Sequence, residues 1–86
     1  MAIQVKYRFD PSIYANVLPT IEGGGPQTQT DVTNSDGTIT RTISFTSYAP
    51  SRLYFGNQGT ESQALLEVFE YPFNSSMKSF YYLFEQ

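Results

Sequence analysis

The chain of 86 residues carries five Lys and Arg against eight Asp and Glu, a net charge of −3, with no Cys and no His. That length makes one domain, residues 1–86, with a single modest core. The composition excludes disulfide staples, thiol nucleophiles and imidazole bases, and offers no basic face for a nucleic acid. What the chain holds in quantity is aromatic surface, seven Phe and seven Tyr without a Trp. A fully buried Phe contributes roughly 1.5–3 kcal/mol, so these rings are the expected stabilisers. Oligomerisation is the further route open to a small domain.

The segment "AIQVKYRF" alternates, with Ile3, Val5, Tyr7 and Phe9 on one side and Gln4, Lys6 and Arg8 on the other, and predicts a half-buried strand. Asp10-Pro11 ends it, because Pro cannot donate to a ladder. Asp10 can also cap a helical turn with Pro11 first in it; "SIYANVL" is therefore open between a turn or two of helix and an irregular crossing. Residues 20–28, with three consecutive Gly and then Pro, predict a loop or arm.

Asn34-Ser35-Asp36-Gly37 lies between two β-prone runs and predicts a hairpin. In its outgoing strand Ile39, Ile43 and Phe45 share a side with Arg41, and Thr38, Thr40, Thr42, Ser44 and Thr46 form the other. A Thr-lined face suits a solvated sheet surface more than an ice or sugar site. Beyond a turn at Ala49-Pro50, Arg52 to Phe55 predicts a short strand, followed by a turn at Gly56 to Gly59. Thr60 to Tyr71 reads two ways. Thr60-Glu61-Ser62-Gln63 fits a capping box, but the strand reading also stands. The final segment "SFYYLFEQ" mixes helical spacing with residues that favour strands, and its context selects a strand; where 60–71 is also read as a strand, the two would make a C-terminal hairpin.

Most chemistries fail on residue type. A Ser-Lys pair would need Ser75, Ser76 or Ser79 beside Lys78, and chain neighbours rarely meet usefully. Glu67 and Glu70 could act as a carboxylate pair on a helix, but on a strand they point to opposite faces. "EGGGP" lacks the Gly-Lys-Ser/Thr of a phosphate loop. A calcium loop built on Gly37 would need carboxylates where Val32 and Ile43 stand. Arg8 and Arg52 lie among rings, as in single-strand nucleic-acid binders, but the net charge opposes that use. No metal, cofactor or nucleic acid is expected. No apolar run reaches the ~18 residues of a membrane helix, and "MAIQVKYRFD" lacks the apolar core of a secretion signal. The expectation is a soluble protein made in the cytoplasm, with a virion as one destination.

These readings predict an all-β domain, or a mostly β one with one short helix, built as a small antiparallel sandwich or barrel of about five or six strands. The leading functional expectation is a non-enzymatic structural protein that forms a homo-oligomer or decorates a larger particle, such as a phage or viral capsid decoration or tail protein. Its interface residues would be Phe80, Tyr81, Tyr82, Leu83 and Phe84, because Tyr and Phe are enriched at protein interfaces. The alternative is a monomeric module for carbohydrate or peptide, with Tyr54, Asn57 and Gln58 as the contacts.

Overall fold

The computed structural model describes residues 3–56, 59–72 and 82–85. The alternating first segment is strand β1 (Gln4–Phe9), and its inward side chains Val5, Tyr7 and Phe9 are wholly enclosed. One turn follows. The Asp10 carbonyl accepts from the amides of Ile13 and Tyr14, while its carboxylate accepts from the Ser12 amide and hydroxyl at 3.0 and 2.7 Å. No helix continues from that turn, and residues 16–19 cross irregularly.

Strand β2 (Thr20–Gly23) comes from within the segment expected to be a loop or arm, and Gln27 already opens the next strand. The glycines compress the turn to residues 24–26. Gly24 is buried at φ +92°, and a Cβ there would stand 3.1 Å from the Phe45 ring and from Pro50. Strands β3 (Gln27–Thr33) and β4 (Ile39–Phe45) form the expected hairpin, in unbroken register from Gln27↔Phe45 to Thr33↔Ile39. The Asn34 amide donates to the Thr38 carbonyl at 2.8 Å, and Gly37, at φ +88°, supplies the left-handed step that closes the connection.

Strand β5 (Pro50–Phe55) is followed by helix α1 (Gly59–Ala64), strand β6 (Leu65–Glu70) and strand β7 (Tyr82–Glu85). The divided reading of 60–71 thus resolves as a succession, helix and then strand. The helix starts at Gly59, one residue before the expected cap, and the Ser62 hydroxyl donates to the Gly59 carbonyl at 3.0 Å.

All pairings are antiparallel, in one sheet ordered β3-β4-β1-β6 and another ordered β2-β5-β7. The domain is mostly β with one short helix, a small sandwich; the described residues form seven strands, where about five or six were expected, and do not close a barrel. The expected C-terminal hairpin is corrected: β6 pairs with β1, and β7 pairs with β5 in the other sheet. The cause is local. Helix α1 delivers the chain to the vacant edge of β1, where the Asp10 amide donates to the Ala64 carbonyl at 2.9 Å.

The core joins Val5, Tyr7 and Phe9 to Ile43 and Phe45 from β4 and to Leu53 and Phe55 from β5. Phe55 meets the Tyr7 ring edge-on, with centroids 4.9 Å apart. Among these apolar side chains lies a charge. Arg41, on the inner side of β4, is only 5% exposed. Its Nε and one terminal nitrogen donate to the two Asp31 carboxylate oxygens at 2.8 and 2.9 Å. The other terminal nitrogen donates to Asn16 Oδ1 and, at 3.1 Å, to the Val17 carbonyl. The guanidinium carbon lies 5.0 Å from the centre of the Phe9 ring. Tyr7 donates its hydroxyl to the same Val17 carbonyl.

The two partners differ in exposure, with Asp31 keeping 38% of its side chain in water. Removing Asp31 therefore strands a buried cation, whereas removing Arg41 leaves a carboxylate that water can solvate. Asp31→Ala should cost about 3–5 kcal/mol, and Arg41→Met less than about 2 kcal/mol; urea unfolding of both variants measures the order. Gly24→Ala should cost at least about 2 kcal/mol, through its positive φ and the close contact with Phe45 and Pro50, by the same measurement.

Candidate functional site

The ionisable groups were expected to carry no chemistry, and their positions show how each is engaged. Burial pushes the Tyr7 hydroxyl up to about 12, more than the Arg41 guanidinium beside it pulls it down. Asp31 is held below the usual carboxylate range by its hydrogen bonds from Arg41. Asp36 is lowered by the Thr38 hydroxyl and amide, and Arg41 is raised by Asp31. All four shifts move away from neutrality, opposite to what a general acid or base at neutral pH requires.

Glu67 and Glu70 lie on the same outer side of the large sheet, contrary to the expected opposition on a strand. The pairing of β1 with β6 slips twice, so that Glu67 stands opposite Arg8 and Glu70 opposite Lys6, leaving Leu66 and Phe69 without partners in the register. Each carboxylate is engaged separately. Arg8 lies 3.7 Å from Glu67, and Gln4 donates to Glu70 at 3.0 Å. The two unpartnered residues are extruded, 44% and 43% exposed, as the extra residues of β-bulges are.

Of the predicted ligand contacts, Tyr54 stands on β5 between Thr20 and Leu83 in register and is half-buried. The Arg52 guanidinium lies 4.7 Å from the centre of its ring, and Arg52 also donates to Glu22 at 3.3 Å. That packing occupies one ring face that a sugar would use. Asn57 and Gln58 lie outside the described residues. Of the predicted interface, Tyr82, Leu83 and Phe84 belong to β7, opposite Phe55, Tyr54 and Leu53 at the end of the smaller sheet. Phe80 and Tyr81 lie outside the described residues.

The open surface lies elsewhere, where sequence reasoning saw only half of a hairpin. All seven residues of β3 are exposed. Gln27 and Gln29, on the side that faces inward further along the sheet, instead line a groove of about 430 Å³ floored by Leu18, Pro19, Ile21 and Ile43. The outer side of the same sheet carries Thr28 opposite Ser44 opposite Gln4, Thr30 opposite Thr42 opposite Lys6, and the exposed Val32 opposite Thr40 opposite Arg8. The polar pattern of "QTQTDVT" could have pointed here, since a strand with no apolar side has no second layer above it.

Compared with models of known families, with curated proteins and with solved structures, the chain matches none. Among the described residues, no three acidic side chains gather as metal ligands, and no helix is long and apolar enough to cross a membrane.

A raised folded pKa means that the neutral Tyr7 contributes fully below the ordinary value near 10, and that this stability is lost as pH rises through about 12. Ultraviolet titration of the folded protein should show an ionisation step near pH 12, missing from Tyr7→Phe. That variant should lose about 1 kcal/mol at neutral pH with its hydrogen bond to Val17, read from thermal unfolding.

Proposed function

We propose that this protein is a non-enzymatic assembly component, which works by forming an oligomer and, through it, a part or a coat of a larger particle. The observation that supports the reading is β3, a seven-residue strand exposed along its whole length beside a groove with an apolar floor. Edges of this kind accept further strands, and main-chain hydrogen bonding supplies the affinity. Apolar side chains at the surface, among them Leu18, Val32, Tyr48, Leu66 and Phe69, add contact area. A decoration or tail protein of a virus particle is the concrete setting in which a small domain without catalytic groups serves in this way.

Sedimentation velocity and native mass spectrometry test it. Species heavier than one chain should grow as concentration rises through the micromolar range. A single species of monomer mass at every concentration would overturn the reading.

A further inference from the structure

The sheet edges of this domain are not equivalent. Strand β6 is interrupted by two register slips and carries Glu67 and Glu70. Strands β2 and β7 are four residues long, and the pairing of β2 slips at Gly23. Bulges, charge and shortness are the devices by which proteins keep sheet edges from pairing. Strand β3 has neither bulge nor shortness. It runs seven residues without a slip, a Lys or a Pro, and its one charge, Asp31, is already paired with Arg41.

The hydrogen-bond phase of this edge follows from its two ends. The Asn34 amide donates to the Thr38 carbonyl, and the Thr46 amide to the Pro26 carbonyl. In the unbroken register between them, the backbone groups of Thr28, Thr30 and Val32 face β4. Those of Gln27, Gln29, Asp31 and Thr33 face outward, and among the described residues no strand meets them.

We propose that β3 pairs with β3 of a second copy of this chain, antiparallel about a two-fold axis at Thr30; the proposal rests on the assembly reading and names its interface. That register places Gln27 opposite Thr33 of the partner subunit and Gln29 opposite Asp31 of the partner subunit, so every outward-facing residue enters a hydrogen-bonded pair. Moving the axis to Asp31 sets two carboxylates face to face and leaves Gln27 unpaired; moving it to Gln29 leaves Thr33 unpaired. In the Thr30 register each Asp31, bound to its own Arg41, meets a glutamine amide that can donate to it. This self-complementarity selects a second copy over an unrelated strand.

Because the chain has no Cys, single cysteine variants report the register directly. Thr30→Cys places two thiols at the axis in a non-hydrogen-bonded pair, within reach of a disulfide, and should form crosslinked dimers under mild oxidation. Val32→Cys, on the same face but displaced along the strand from its own copy, should crosslink at least about tenfold more slowly. Gln29→Pro removes an outward amide while sparing the pairing with β4; it should keep the circular dichroism of the parent and sediment as a monomer. Equal crosslinking of the two cysteine variants, or a folded Gln29→Pro that still associates as the parent does, would overturn the β3 interface while leaving assembly by another surface intact. A parent protein that stays monomeric at every concentration would overturn both.

Discussion

A guanidinium enclosed by protein must have its donors met, and the way Arg41 meets this requirement organises half of the fold. Its partners come from places that little else would hold together. Asp31 lies on an edge strand that buries none of its residues, and Asn16 and Val17 lie on a crossing segment without regular structure. The Phe9 ring lies against the cation, and Tyr7 shares the Val17 carbonyl with it. A strand such as "QTQTDVT" has no apolar side to define its register, and polar strands slip readily. Here a slip by one residue would put Asp31 on the outer side, and a slip by two would set Gln29 or Thr33 opposite Arg41. Either would leave a buried cation without its counter-ion, at a cost of several kcal/mol. The ion pair therefore fixes where β3 lies, as apolar burial does for β1.

That constraint bears on the proposed function. A strand with a wandering register is a poor recognition surface, because its outward donors and acceptors change phase with each slip. Held by Arg41, and by the hairpin connection in which Asn34 bonds Thr38 and Thr40 while Asp36 bonds Thr38, β3 presents one phase only. The energetics are divided accordingly. The core under β1, β4 and β5 supplies the hydrophobic stabilisation, whereas β3 buries none of its residues and, among the described residues, pairs along one edge only.

Much of this fold was legible in local patterns and little of it in the connections. The alternation from Ile3 to Phe9 and the Asp36-Gly37 hairpin are signals contained within a few residues, and both appear as read. Arg41 was seen to share a side with Ile39, Ile43 and Phe45, but its partner came from counting across the hairpin: once Asn34 bonds Thr38, Asp31 must stand opposite Arg41. Strand β2 was hidden because Ile21 is the one bulky apolar residue in "TIEG", next to glycines that signal a loop. The double slip in β6 depends on its fit to β1 and has no mark in its own sequence. The assignment of β6 and β7 to different sheets is likewise settled by which edges were still vacant. The open edge of β3 was missed for a related reason, since its place at the end of the sheet is set by which strands pair and not by its own residues.

The unequal edges also decide what kind of assembly this geometry allows. Pairing through β3 about a two-fold axis uses the same edge on both subunits, so it is isologous and closes on itself. The joined sheet would run β6-β1-β4-β3 and then the same order reversed, ending at both sides on β6. That strand is the one blunted by two bulges and by Glu67 and Glu70, so growth by further strand addition would stop there. Had the open edge been β6 and the bulged one β3, the paired sheet would still close, but Arg41 would then lie on the terminal hairpin rather than next to the contact. As the chain is built, Asp31 lies on the pairing strand beside the proposed axis and the buried Arg41 on the next strand, where the pair can hold that edge in phase. The proposed dimer would carry one continuous outer face, largely Thr, Ser and Gln with Val32 and the basic side chains of β1 among them. In that dimer the same two bulges would leave Leu66 and Phe69 exposed on its two terminal strands.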